Sequence, residues 1–263
     1  MLQKNNNRII TLLTDFGIQD PYVAEIKGTI LSVNFDAKIV DISHQISSYD
    51  IREAAFLIGM YYNIFAKKTI HLAVVDPGVG GERENIIVKT KNFYFVGPDN
   101  GIFSMIFQKE KNFTIYKINY SPKNKYSNTF FGRDYFAPIA AMLSKGDRIS
   151  KIGKKTDKFI KLDIPKPDID ENMVIGQIMY VDGFGNLITN IYKDIIKTNE
   201  KKLAIRVGDV VIDKIGRTFS SVSPGEPVAY IGSHGYLEIA INKGTADKSL
   251  GTVKGSNVEL LYY

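Results

Sequence analysis

The side chains with the most chemical capacity in this sequence lie in short polar motifs, each following an apolar run. Ile9-Ile10-Thr11-Leu12-Leu13 leads into Thr14-Asp15-Phe16-Gly17. The run from Thr69 to Val75 leads into Asp76-Pro77-Gly78-Val79-Gly80-Gly81, and Phe93 to Val96 leads into Gly97-Pro98-Asp99-Asn100-Gly101. In parallel sheets, ligands bind in the crevice beyond the carboxyl ends of the strands. Three motifs in that one topological position favour a site. Taken singly, each is also what a turn requires, because Asp, Asn, Pro and Gly fill turns for local reasons. Gly78 to Gly81 lacks a following Gly-Lys-Ser/Thr and is not Gly-x-Gly-x-x-Gly, so it gives little support to phosphate binding. Asp76 and Arg83 flank it, seven residues apart. They can pair as a loop-closing salt bridge or as the charged centre of a site. Thr129-Phe130-Phe131-Gly132-Arg133-Asp134 opens a helix, where Asp134 suits the first turn. Asp182-Gly183-Phe184-Gly185-Asn186 and Gly232-Ser233-His234-Gly235-Tyr236 set polar side chains between glycines. Such loops let backbone approach a ligand closely, or simply turn a hairpin.

Composition narrows the chemistry. The 263 residues contain no cysteine, which excludes disulfides, thiolate nucleophiles and Cys-ligated metal centres. The three histidines, His44, His71 and His234, are too few and too dispersed for a His-rich metal cluster, so no metal is expected. Hydrophobic residues at 44% and charged residues at 24% match a globular chain with a real core. No apolar run reaches the length of a membrane helix, and no leader is recognisable, so a cytoplasmic protein without membrane contact is expected. The net charge of +6 raises nucleic acid as a partner. The lysines are scattered over Lys67-Lys68, Lys109 to Lys111, Lys123 to Lys125 and Lys154-Lys155, with no nucleic-acid-binding motif beside them. A solvated basic surface is the better reading, and no nucleic-acid partner is expected.

The elements that must position these motifs alternate in the first part. Short strand-like runs occur at Arg8–Leu13, Lys38–Ile42, Thr69–Val75, Asn85–Thr90 and Phe93–Val96. Helical spacing covers Tyr22–Leu31, Ile51–Phe65 and Asp134–Lys145. This order predicts an α/β domain over residues 1–160 with a largely parallel sheet covered by helices. Pro165 and Pro167 mark an extended linker over 161–172. Residues 173–263 show only short runs punctuated by turns, which predicts a small antiparallel β-barrel domain. Asn5-Asn6-Asn7 is the one low-complexity stretch.

Taken as an ordered set, Thr14-Asp15-Phe16-Gly17, Val75-Asp76-Pro77-Gly78-Val79-Gly80, Gly97-Pro98-Asp99-Asn100-Gly101, Gly132-Arg133-Asp134 and Gly185-Asn186 resemble the S-adenosyl-L-methionine hydroxide adenosyltransferases, relatives of the fluorinating and chlorinating enzymes that use the same substrate. The resemblance runs from Thr14 to about Thr245. It implies an α/β domain followed by a β-barrel, and a homotrimer with active sites between neighbouring subunits. It implies that water displaces methionine from C5′ of S-adenosylmethionine, giving adenosine and L-methionine, with no cofactor. Carried over residue by residue, Asp15 would hold the ribose hydroxyls. Asp182 would take the methionine ammonium, and Ser233 with His234 the methionine carboxylate. Phe184 and Phe219 would sandwich adenine, and Asn186 would read its edge. Asp76 and Arg83 would hold the attacking water. The sequence departs from the family at Phe131, where a histidine usually completes that water-holding set. Phe131 can line the site but cannot bind or deprotonate water. A catalytically weak binder of S-adenosylmethionine or adenosine is therefore the main alternative. A halogenase is the other, and Val79 and Gly132, in place of small hydroxyl residues that could cradle a halide, argue against it.

Overall fold

A computed structural model describes residues 8–122, 127–197 and 202–263. Asn5 to Asn7 and the lysines at 123 and 125 lie outside the described residues. The chain divides into two compact units, Met1–Ile164 and Pro165–Tyr263.

The first unit is a three-layer α/β structure. Its strands are β1 (Ile9–Thr14), β2 (Lys38–Ser43), β3 (Ile70–Val74), β4 (Asn85–Thr90), β5 (Tyr94–Pro98), β6 (Phe113–Ile118) and β7 (Gly153–Thr156). Its helices are α1 (Tyr22–Val33), α2 (Ile51–Tyr61), α3 (Ser104–Lys109) and α4 (Ala137–Lys145). The strands form one sheet in the order β2-β1-β3-β5-β4-β6-β7. Strands β2, β1, β3 and β5 are parallel, whereas β4, β6 and β7 join antiparallel. The largely parallel sheet expected from the sequence is thus only half right. The cause is the short connection between β4 and β5. A parallel pair needs a crossover of a dozen or more residues. Here Thr90 closes a hairpin instead: its N–H donates to Phe93 O, and its hydroxyl accepts from Asn92 N at 3.3 Å and Phe93 N at 3.0 Å.

Both faces of this sheet are covered. Ile10, Leu12, Leu72 and Val96 meet α1 and α4 through Ile26, Ile30 and Ile139 on one side. Leu13, Ala73, Phe95 and Val88 meet α2 and α3 through Ala54, Ile58 and Ile106 on the other. His71 on β3 belongs to this second layer. It is fully buried, shares a 2.8 Å hydrogen bond with Thr11 Oγ1 through its Nδ1, and stacks on Phe95 with ring centroids 5.1 Å apart. Tyr61, Tyr62, Phe65 and Phe93 complete an aromatic cage around it.

The second unit is a single curled sheet. It comprises β8 (Asp168–Ile169), β9 (Met173–Val181), β10 (Leu187–Tyr192), β11 (Leu203–Val207), β12 (Val210–Ile212), β13 (Ile215–Gly216), β14 (Pro227–Ile231), β15 (Tyr236–Ile241) and β16 (Asn257–Tyr262), with one short helix, α5 (Ala246–Ser249). The order is β12-β11-β16-β9-β10-β15-β14-β13, with β8 beside β9. All pairs are antiparallel except β13 with β14. Strand β12 comes back against β14, so the sheet is nearly closed and barrel-like. Alternation sets the core. Leu187, Leu237, Ile239, Ala229 and Leu260 point inside. Among the described residues, no helix is long and apolar enough to cross a membrane.

Burial pushes the pKa of His71 down to about 3. The unfolded chain therefore binds a proton near pH 6.5 that the folded chain refuses, so this stability is complete above pH 6.5 and is lost as pH falls towards 3. The loss approaches about 1.4 kcal/mol per pH unit within that window. Thermal unfolding at pH 7 and pH 5 checks this. The drop in Tm between the two should be smaller in His71→Phe than in the parent.

Candidate active site

The carboxyl ends of β1 and β3 lie side by side, because Thr14 pairs in register with Val74. Asp15 and Asp76 therefore leave the sheet at the same edge. The antiparallel course of β4 brings in the third charge. Its first residue, Asn85, sits opposite Pro98 at the end of β5, so Arg83 arrives at that edge from the other direction. Arg83 Nε donates to Asp76 Oδ1 at 2.9 Å, and a second guanidinium nitrogen donates to Asp76 Oδ2. The pair is bidentate and enclosed, with the Asp76 and Arg83 side chains 4% and 9% exposed. The third guanidinium nitrogen donates to Asn85 Oδ1 and to Glu84 O. The rings of Phe131 and Phe136 lie 5.1 and 5.7 Å from the Arg83 guanidinium carbon. The pair closes the loop that it flanks and also places Asp76 at the edge of a cleft, so the geometry accommodates both readings of the spacing.

That cleft has a volume of about 540 Å³ and is lined by Asp15, Phe16, Tyr22, Glu25, Tyr49, Asp76, Val79, Phe130, Phe131 and Arg133, among others. The Asp15 carboxylate accepts the Tyr49 backbone N–H at 3.0 Å. Burial raises its pKa against the effect of that hydrogen bond, and the charge of Asp76 pushes the same way as burial. Tyr49 holds a left-handed backbone, φ 68°. Beneath Asp15, the Thr14 hydroxyl bonds His44 Nδ1 at 2.8 Å, and Gly17 N donates to His44 O. His44 thus braces the turn that presents the carboxylate.

The aromatic wall is built by Phe16, Tyr22 and Phe130, which meet edge to face at centroid distances of 5.4 to 6.0 Å. Phe131 follows and packs against Tyr135 at 4.5 Å. Residues Gly132–Phe136 form one π-helical turn leading into α4. Arg133 grips Asp134 through Nε and its second terminal nitrogen, and also reaches Glu25 at 2.8 Å. Asp134 further accepts Ser127 N at 2.7 Å. Asp134 therefore sits in the first turn, as its residue type suits, and its carboxylate also holds the segment before the helix. Gly80 has φ 79°, and a Cβ there would lie 2.4 Å from Asn128 O, so only glycine lets the loop after Asp76 lie against this segment.

The third motif braces the site without lining it. Asn100 Nδ2 donates to Val75 O at 2.8 Å, fixing the chain just before Asp76. Asp99 accepts Ile160 N at 2.9 Å. His71 faces its aromatic cage and does not line the cleft.

The second unit carries the remaining candidate residues. Asp182 closes its own turn: Oδ1 accepts Phe184 N and Asn186 N, both at 2.9 Å, and Oδ2 accepts Asn186 Nδ2 at 2.8 Å. Asn186 is buried, whereas Phe184 at the tip is 79% exposed. Phe219 is 44% exposed and packs on Tyr230 with centroids 4.8 Å apart. Ser233 and His234 are exposed at the β14–β15 turn, with Ser233 Oγ 3.2 Å from His234 Nδ1. Within each unit the candidates cluster: Asp15, Asp76, Arg83 and Phe131 in the first, and Asp182, Phe184 and Asn186 on one turn of the second. Among the described residues no cluster of three or more His, Asp or Glu could hold a metal ion.

The sequence reading passed over Asn85, Tyr49 and Glu25. Asn85 carries the clearest overlooked signal, a polar amide at the start of an otherwise apolar strand two residues after a candidate arginine. Tyr49 contributes through its backbone, so its residue type gives no sign of the contact.

The fold and these motifs coincide with one family over most of the chain. Residues 10–153 match the SAM hydroxide adenosyltransferase N-terminal domain, and residues 176–259 match the corresponding C-terminal domain. The chain belongs to this family. It is 34% identical to a protein of Methanocaldococcus jannaschii named (R)-S-adenosyl-L-methionine hydrolase, over 97% of this chain and 96% of that protein. It is 32% identical to a protein of the same name from Thermus thermophilus, over 97% of this chain and the whole of that one. A crystal structure of an uncharacterised conserved protein from Thermotoga maritima superposes with a TM-score of 0.90 at 34% identity, covering 96% of this chain and 99% of the other.

The enclosure of Asp76 and Arg83 has an energetic consequence. Removing one partner of a buried pair leaves an uncompensated charge, at a cost of about 3–5 kcal/mol. Arg83→Met, which keeps most of the apolar stem, should lower the unfolding free energy by about that amount in denaturant titration. Asp76→Asn leaves the Arg83 charge uncompensated in the same way and should also lower it.

Proposed function

We propose that this protein is a hydrolase that cleaves S-adenosyl-L-methionine to adenosine and L-methionine. The observation that carries the reading is the enclosed Asp76–Arg83 pair beside Asp15, at the carboxyl edge of parallel strands, in a chain of this family. Water attacks C5′, the C5′–S bond breaks, and its electron pair returns to sulfur, so the sulfonium leaves as neutral methionine. As it attacks, the water gives up one proton, which Asp76 accepts and passes to solvent. Asp76 still has lone pairs to accept a hydrogen bond from that water, and Arg83 fixes the orientation of its carboxylate. Charge falls in this transition state, so the apolar lining of Phe130 and Phe131 suits it and helps exclude bulk water. Asp15 accepts the two ribose hydroxyls. On the second unit, Phe184 and Phe219 flank adenine and Asn186 reads its edge. Asp182 takes the ammonium, and Ser233 with His234 the carboxylate. The reading includes a cytoplasmic homotrimer in which different copies supply the two sets of residues. It needs no metal or other cofactor.

A second reading is favoured by one observation: Phe131 stands over Arg83 where a histidine would otherwise reach the water. On that reading the protein binds S-adenosylmethionine or adenosine with little turnover. Incubation of purified protein with S-adenosylmethionine, followed by chromatography, separates the two. Stoichiometric release of adenosine and methionine supports hydrolysis, and binding without release supports the alternative.

Three variants test the roles. Asp76→Asn should lower adenosine formation at least tenfold with affinity nearly unchanged, because its interaction belongs to the transition state. Phe131→His should raise the rate. Asp15→Ala should weaken binding by a few kcal/mol in calorimetry, since hydrogen bonds to a charged group contribute about 1.5–3 kcal/mol each.

A further inference from the structure

The residues on either side of Asp15 are tied to one histidine. Before it, the Thr14 hydroxyl meets His44 Nδ1 at 2.8 Å. After it, Phe16 N donates to the same hydroxyl at 3.3 Å, and Gly17 N donates to His44 O at 2.7 Å. Thr14 is fully buried and His44 is 6% exposed, so water does not compete for these contacts. The approach of His44 is prepared in β2. Its pairing with β1 slips by one residue between Leu12–Asp41 and Leu13–Ser43. Such a bulge re-aims the side chains beside it, and here it lies just before the residue whose ring reaches back to Thr14.

The contacts continue from His44 to the surface. A hydroxyl has one proton to give. Thr14 Oγ1 already accepts Phe16 N. When it gives its own proton to His44 Nδ1, the proton of the neutral ring is left on Nε2. That nitrogen is buried and lies 3.2 Å from Asp41 Oδ1, an electrostatic contact rather than an aligned hydrogen bond. A carboxylate at that place favours this tautomer over one that turns a bare nitrogen toward it. Asp41 is held in turn by Lys27 Nζ at 2.5 Å. Burial opposes the charge of Asp41, but its contacts with Lys27 and His44 outweigh burial and hold its pKa below the usual carboxylate range. Lys27 and Asp41 are both partly exposed, so a surface ion pair is connected to the buried turn that presents Asp15.

We propose that Asp41, His44 and Thr14 form a relay that positions Asp15 for the ribose hydroxyls. This rests on the reading given above in which Asp15 accepts those hydroxyls. None of the three lines the cleft. They are positioning residues and act through the orientation of the carboxylate. Two adjacent hydroxyls need both of its oxygens in place at once, and a tilted carboxylate loses one of the two hydrogen bonds.

Adenosine and 2′,3′-dideoxyadenosine differ only in the two hydroxyls that Asp15 would hold. Both are titrated by calorimetry into the full-length protein. The parent should prefer adenosine, and Asp15→Ala should abolish that preference. If either expectation fails, the ribose reading itself is wrong and the relay falls with it. Asp41→Asn keeps the shape of a partly exposed side chain and removes its charge. It should weaken adenosine about fivefold and leave dideoxyadenosine within about twofold of the parent, the size of effect a residue has when it acts through a network. In the Asp15→Ala background the same change should leave adenosine binding unaltered, because residues that act through one group are not additive. Equal weakening of both ligands, unchanged adenosine affinity, or a full effect in the absence of Asp15 each overturns the proposal. Thr14→Val, which removes the hydroxyl and keeps the branched shape, repeats the test at the buried end. A loss confined to adenosine supports the relay, and its absence refutes it.

Discussion

The charge pair of Asp76 and Arg83 is the constraint around which the first unit is arranged. Two opposite charges withdrawn from water are tolerable only when each is held in good geometry by the other and by further hydrogen bonds. The structure meets that demand from several directions. Strand β3 delivers the carboxylate, and Asn100 pins the chain just before it. Strand β4 delivers the guanidinium, and Asn85 takes one of its remaining donors. Phe131 and Phe136, from the turn before α4, shield its face. Elements far apart in sequence must all be placed before the pair is satisfied, so the site and the fold of this unit form together.

The mixed sheet is part of the same arrangement. Four parallel strands give the open carboxyl edge at which ligands bind in α/β folds. A fifth parallel strand beyond β5 would have presented another carboxyl end. The hairpin at Thr90 instead sends β4 back, so the segment entering β4 meets the segment leaving β3. A short polar turn thus supplies a cation to an edge that would otherwise carry acidic groups at Asp15 and Asp76.

Much of this was legible in the sequence, for identifiable reasons. Apolar runs ending in polar, glycine-rich turns mark strand ends well, and Asp15 and Asp76 were found that way. Helical spacing located α1, α2 and α4 because each buries one stripe against the sheet. Strand direction was not legible from the alternation of elements. It depended on the length of the β4–β5 connection, which spacing alone could have revealed. The burial of Glu238 was hidden too: in Tyr236-Leu237-Glu238-Ile239 it reads as the solvent-facing member of an alternating strand, yet it is 8% exposed. Only the fold shows that this side of the strand is covered. Tyr49 acts through an amide, and no residue type announces that. The motif around Gly97 to Gly101 was placed correctly at a strand end, yet its side chains brace the chain rather than face the cleft.

The turn from Asp182 to Asn186 has a further consequence. Its carboxylate, two backbone amides and a side-chain amide lock five residues into one shape, and Phe184 is carried at the tip of that shape into solvent. An aromatic ring on a floppy loop loses backbone freedom when something covers it, and that loss offsets much of the gain. Here the backbone order is already present in the isolated chain. Covering the ring would therefore return most of its apolar hydration free energy, about 1.5–3 kcal/mol for a side chain of this size, with little backbone entropy left to lose. Phe184 is a rigid adhesive point, and its rigidity comes from the same carboxylate that the sequence first marked out as a binding group.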